Sequence, residues 1–186
     1  MLENCLIHHN SATYGGGVFL YDAASLTNCT IVANSPNLYC EHSWDKSSIV
    51  NTICGLPGEN GVCVYVGLFP DDPEAQKAAA QAELAKLSKP FYNCLSSGCY
   101  CFMSRGDSKS HPLPEEKGNL TGTAAFVDSA HGDYRLSIKS PCRGAGLLDA
   151  WMLGAKDLDG NRRAYPGLVD MGCYQRIPKG LMLLVK

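Results

Sequence analysis

The chain has 186 residues, with 16 Lys plus Arg against 18 Asp plus Glu and a formal net charge of -2. That length fits one domain, and an apolar fraction of 45% is enough to bury a core. The near-neutral balance, with no dense Lys/Arg run, lacks the electrostatic footprint of nucleic-acid and anionic-membrane binders, and no apolar run reaches the roughly 18 to 20 residues that span a bilayer. The first residues, Met1-Leu2-Glu3-Asn4-Cys5, show no basic segment followed by an apolar one. Ten cysteines point the other way, toward an oxidising compartment.

A repeat organises the first half. Leu2-Glu3-Asn4-Cys5-Leu6-Ile7-His8-His9-Asn10-Ser11 aligns with Leu26-Thr27-Asn28-Cys29-Thr30-Ile31-Val32-Ala33-Asn34-Ser35 at an offset of 24. A third copy, Ile49-Val50-Asn51-Thr52-Ile53-Cys54, follows 23 residues later, and a fourth, Phe91-Tyr92-Asn93-Cys94-Leu95, another 42 later. Apolar residues recur at period 2 within the copies, which is strand behaviour. Leu26 and Cys29 face the same way only if the chain turns a corner after Asn28, and Asn tolerates the left-handed backbone such a corner needs. Asn4, Asn28, Asn51 and Asn93 are therefore expected as a structural ladder, each amide bonding the one in the next layer. Cys5, Cys29 and Cys94 are expected as an inward column of buried thiols.

His8 and His9 fall on a strand, which calls for surface display of at least one. Gly15-Gly16-Gly17 leads into a further short strand, Val18 to Tyr21. Outward aromatics on such a face can stack on sugar rings; Tyr14, Tyr21 and Trp44 are the candidate ligand-binding residues, within a group that includes Phe19, Tyr39, Tyr65 and Tyr100. Loops packing back on the coils would use the same residues. Cys54 with Cys63, or Cys99 or Cys101 with a loop partner, is the favoured disulfide in an exported protein. Removing one period of 24 from the 42-residue gap leaves 18, the length of Asp71 to Ser88. Asp71 or Asp72 can cap that segment and Pro73 suits its first position, so it reads as an inserted surface helix with a thin stripe including Ala78, Ala82 and Ala85. Further on, Cys94, Cys99 and Cys101 with His111 lack the paired spacing of a zinc site, and Arg105-Gly106-Asp107 is too short a match to the integrin-binding tripeptide to carry a function.

Strand-only repeats of about 24 residues cannot bury their apolar face alone and must stack. The expected fold is all-β, a right-handed parallel β-helix of about four or five coils spanning 1–144, with a helical insert at 71–88 and a C-terminal cap and tail over 145–186. A leucine-rich repeat is the rival, disfavoured because the position two beyond its consensus Asn holds Ala12 or Pro36 where an apolar residue belongs. Near the end, Asp157, Asp159 and Asn161 around Gly160 imitate the start of a calcium loop, with Asp170 as the following acid. That makes Ca²⁺ the one candidate cofactor, although such density of Asp and Gly more often makes a turn.

Taken in order, these phrases resemble a family. SLTNCTIVANS and ATYGGGVFLYD, then Gly118-Asn119-Leu120, Phe126-Val127-Asp128, Gly132-Asp133-Tyr134-Arg135-Leu136, Ser140-Pro141-Cys142 and Asp157-Leu158-Asp159-Gly160-Asn161-Arg162-Arg163 with Val169-Asp170-Met171-Gly172-Cys173-Tyr174 are similar to secreted or surface-attached bacterial proteins. These have a pectin-lyase-like right-handed β-helix, particularly with a choice-of-anchor Q type C-terminal region. Arg163 departs from the pattern, standing where a proline is expected, as does Ala124-Ala125. The resemblance implies an extracellular or cell-surface location and a non-catalytic scaffold, glycan-binding or adhesive, with polysaccharide as partner. The alternative is the C-terminal part of a polysaccharide lyase or glycoside hydrolase whose catalytic residues lie upstream, since no facing pair of carboxylates is evident. A third reading is a structural cap preceding an anchor. Because Leu2 already lies inside a repeat, upstream coils and a signal peptide are expected to precede Met1.

Overall fold

The computed structural model describes residues 1–41, 44–56, 59, 61–65, 78, 82, 85–86, 91–92, 94–96, 99–102, 110–111, 113 and 115–178; for 44, 64–65, 99–102, 110–111 and 116 the description covers the backbone only. It is a parallel β-solenoid with about 24 residues per turn. Four rungs are joined by about three turns, and three sheets run along the stack.

The first face holds β1 (Leu2–Glu3), β4 (Ser25–Thr27), β7 (Ser48–Val50) and β10 (Phe91–Tyr92). The second holds β2 (Leu6–His8), β5 (Thr30–Val32), β8 (Ile53–Cys54), β11 (Leu95–Ser96) and, as a single fifth strand, β14 (Leu120–Thr121). The third holds β3 (Val18–Leu20), β6 (Leu38–Cys40), β9 (Val62–Tyr65) and β12 (Cys99–Phe102), with β13 (Ser110–His111) antiparallel at its end. Registers follow the repeat: Leu2 pairs with Leu26, Leu26 with Ile49 and Ile49 with Phe91.

The corner between the first two faces is made as the sequence demands. Asn4, Asn28 and Asn51 have φ of 51°, 52° and 52°, the left-handed region that Asn visits at little cost. That corner lets Leu26, Cys29 and Ile31 all enter one core with Val18, Leu38, Ile49, Phe91 and Cys94. The residue after each Asn then locks the turn. Cys5, Cys29 and Cys94 each place Sγ 3.2–3.4 Å from the carbonyl two residues back, and Thr52 does the same through its hydroxyl. Before the single extra strand β14, Gly118, φ 70°, takes the Asn place, and Asn119 takes the Cys place, its amide bonding Phe91 O and Cys94 N.

The amide ladder itself lies elsewhere. Asn4 and Asn51 turn their amides to Lys156 O and to Leu147, and the buried Asn28 amide has no partner. The amide bond between layers occurs instead at the corner after the second face, where Asn10 donates to Asn34, which in turn donates to Asn37 within its own rung. Asn93 lies outside the described residues. Of the expected helix 71–88, Ala78, Ala82 and Ala85 are helical and exposed; their apolar stripe, one methyl per residue, is not buried against the coils.

Parallel stacking ends at β14, well before residue 144. The chain then forms an antiparallel hairpin, β15 (Phe126–Asp128) with β16 (Asp133–Leu136). The segment expected as an end cap runs along the side of the coils. Gly172 N donates to Asn51 O in the third rung, Cys173 N to Thr30 Oγ1 in the second, and Lys156 O accepts from Asn4 in the first. The reason is chemical. Outward positions of the second face carry Leu6, Val32, Ile53, Leu95 and Leu120, too apolar for water, and Ala124, Tyr134, Cys142 and Met171 pack over them in a second core.

Candidate functional site

The third face is aromatic and exposed at its first rung; further along its outward ladder, Tyr39 and Cys63 are buried. Alternation along β3 sends Val18 and Leu20 inward and Phe19 outward, where it registers with Tyr39 on β6. The loop before β3 lies hard against the next rung: a Cβ on Gly16 would strike the Ser35 carbonyl, and one on Gly17 the Asn37 carbonyl. That close approach brings Tyr14 to Tyr39, with ring centroids 5.3 Å apart, beside Phe19 at 5.5 Å from Tyr39 and Tyr21 at 6.2 Å from Phe19. Tyr39 is only 2% exposed beneath the cluster, whereas Tyr14, Phe19 and Tyr21 are 59%, 45% and 52% exposed. The structure thus joins Tyr14 to Tyr21 through the buried Tyr39 and through Phe19, which completes the surface. Trp44 begins a 3-10 turn, Trp44–Lys46, and its side chain, like those of Tyr65 and Tyr100, lies outside the description.

Beside this face, at the corner after β2 and β5, a cavity of about 570 Å³ is lined by polar residues including His9, Asn10, Asn34 and Glu59. Their polar atoms hold the corner. One oxygen of Glu59, Oε2, accepts from Ala33 N, Leu56 N and Asn37 Nδ2 at 2.9–3.1 Å. Asn34 ties Ile7 O, Val32 O and Asn10 together. His8 and His9 are both exposed, with their Nδ1 atoms 2.7 Å apart.

The candidate calcium residues are neighbours in space, but their oxygens are occupied. Asp157 Oδ1 accepts from Asp159 N and Asn161 N, closing the turn at Gly160, and its Oδ2 accepts from Gln175 N. Asp159 pairs with Arg135 through two bonds of 2.6 and 3.2 Å. The fully buried Asp170 accepts from Gly144 N and Arg176 N. Among the described residues, no group of three or more His, Cys, Asp or Glu side chains is placed to hold a metal.

Sequence reasoning passed over the residue at the centre of this knot. Arg163 is completely buried and donates to Asp170 O, Gly172 O and Gln175 Oε1. Burial lowers its pKa from 12.5 to about 10, with Asp170 and Asp157 pulling the other way. The departure from a proline at that position was its one visible signal.

The cysteines behave as core. Burial raises the Cys29, Cys94, Cys142 and Cys173 thiols from 9.0 to about 12. Cys54 and Cys63, the favoured disulfide pair, both carry thiols. Cys54 registers with the inward Ile31, and Cys63 with Tyr39 on the outward ladder, so the two point to opposite sides of their sheets. Cys99 and His111 pair through their backbones; their side chains, that of Cys101, and Arg105-Gly106-Asp107 lie outside the description. Comparison with protein-family models, curated proteins and solved structures finds no match to this chain.

Proposed function

We propose that this chain is a non-catalytic β-helix scaffold of an exported bacterial surface or extracellular protein, and that its third face binds polysaccharide. One observation carries the reading: Tyr14, Phe19 and Tyr21 stand about half exposed on and beside β3, backed by the buried Tyr39. Aromatic faces held in place by packing lose little freedom when a sugar ring stacks on them. In the cavity beside that face, Glu59 is engaged by three N–H donors that hold the corner, which suits a structural role better than proton transfer.

A glycan array probed with the whole chain tests this. Binding to at least one polysaccharide is expected, weakened about 2- to 10-fold by Tyr14→Ala or Tyr21→Ala. Binding to none of the polysaccharides overturns the reading, as does binding indifferent to both substitutions. Cleavage of a bound polysaccharide would move the chain to the lyase or hydrolase class.

A further inference from the structure

We propose that the open cavity between Arg143 and Arg176 in the C-terminal flank binds a small organic carboxylate with an apolar body. The cavity measures about 450 Å³ and is lined by Ile138, Arg143, Leu168, Arg176 and Pro178. Two arginines and three apolar residues therefore line it, and among the described residues no acid does.

Arg143 has no ion-pair partner among the described residues, and neither arginine's Nε donates a hydrogen bond. Arg143 is half-buried; its Nε is shut off from solvent and bonds nothing. Arg176 Nε is in the same position, because its nearest acid is already taken: Asp170 spends its oxygens on Gly144 N at 2.6 Å and Arg176 N at 2.9 Å and stays 3.6 Å from Nε. Gly144 keeps the two arginines close. A Cβ there would come within 3.2 Å of Arg176 Nη2, and its φ of 67° suits glycine, so the Arg176 guanidinium lies against the residue that follows Arg143.

Asp170 offsets part of the Arg176 charge, but the Arg143 charge has no partner, so a concave space lined by both favours an oxyanion, and the planar guanidinium fork matches a carboxylate. The walls decide the rest. A bare inorganic ion leaves Ile138, Leu168 and Pro178 uncontacted, whereas an apolar body on the carboxylate buries them.

The test is an amide chemical-shift titration of the full chain with benzoate, alongside acetate, benzamide and inorganic phosphate. Benzoate is expected to shift the Arg143 and Arg176 amides with an affinity of about millimolar. Acetate, lacking the body, and benzamide, lacking the charge, should each bind at least about 10-fold more weakly. Arg143→Gln should cost benzoate about 10-fold or more with the melting temperature unchanged, since the Arg143 side chain bonds no other group. Arg143→Lys should fall between, keeping charge but losing the fork. Tyr14→Ala should leave benzoate binding unchanged, which separates this site from the aromatic face. Absence of benzoate binding, benzamide or phosphate binding as tightly as benzoate, or undiminished binding by folded Arg143→Gln each overturns the proposal.

Discussion

The coils and the flank that covers them are held by opposite means. In the coils one solution is repeated: a left-handed Asn, a small inward residue that bonds back across the corner, and an apolar pair, stacked so that Leu2, Leu26, Ile49 and Phe91 lie in register. In the flank nothing repeats. A single buried Arg163 gathers carbonyls of Asp170 and Gly172, while Asp157 and Asp170 gather backbone N–H groups from residues 144 to 176. Stacked repeats share their energy among neighbouring rungs, whereas a polar knot loses much when one member goes.

Alkaline pH should attack both regions at once, and with the largest effect. Cys29 and Cys94 in the coils and Cys142 and Cys173 in the flank have thiols raised from 9.0 to about 12. Between those values the folded chain keeps protons that the unfolded chain releases. Stability present below pH 9 is therefore lost toward pH 12, by about 1.4 kcal/mol per pH unit for each thiol. Arg163, lowered to about 10, offsets one thiol's share above that pH, because there the folded state releases the proton first. Urea unfolding followed from pH 8 to 11 should show the decline, and a flat profile would contradict buried thiols in either region.

The difference between the regions sharpens in single substitutions. Arg163→Ala leaves Asp157 and Asp170 without their buried counter-charge and should cost about 3–5 kcal/mol in urea unfolding. Hydrogen exchange in that variant should rise first in 142–175 while the coil strands stay protected. Simultaneous loss of protection in both would show that the flank and coils are one cooperative unit.

Asn51 and Asn28 separate the corner from its cover. Glycine keeps the left-handed backbone at both sites, so Asn28→Gly should cost only about 0.5–1 kcal/mol of unfolded-chain freedom. Asn51→Gly also loses the bonds to Leu147 N and O, at 2.7 and 2.8 Å, and should cost about 1–3 kcal/mol more. Equal melting temperatures would remove Asn51 from the coil–flank joint. The smallest effect belongs to the third face: Tyr21→Ala should change stability by no more than about 0.5 kcal/mol, since the ring is half exposed. A larger loss would mean that the face is built for packing.

What could be read from the sequence alone was whatever local chemistry repeats. Period-2 alternation fixed the strands, and the three Asn corners and the inward Cys29 and Cys94 followed from the copies aligned at offsets of 24, 23 and 42 residues. The outward Leu6, Val32 and Leu95, apolar beside the inward Ile31, also hinted that the second face is covered on both sides. What covers it was decided by the tertiary structure, because contacts such as Cys173 with Thr30 and Leu147 with Asn51 join residues 143 and 96 positions apart with no pattern to announce them. Likewise the Asn amides were free to bond up the stack or outward to the flank. The flank's carbonyls and N–H groups, which need partners once buried, drew Asn4 and Asn51 outward and left the layer-to-layer bonds to Asn10 and Asn34.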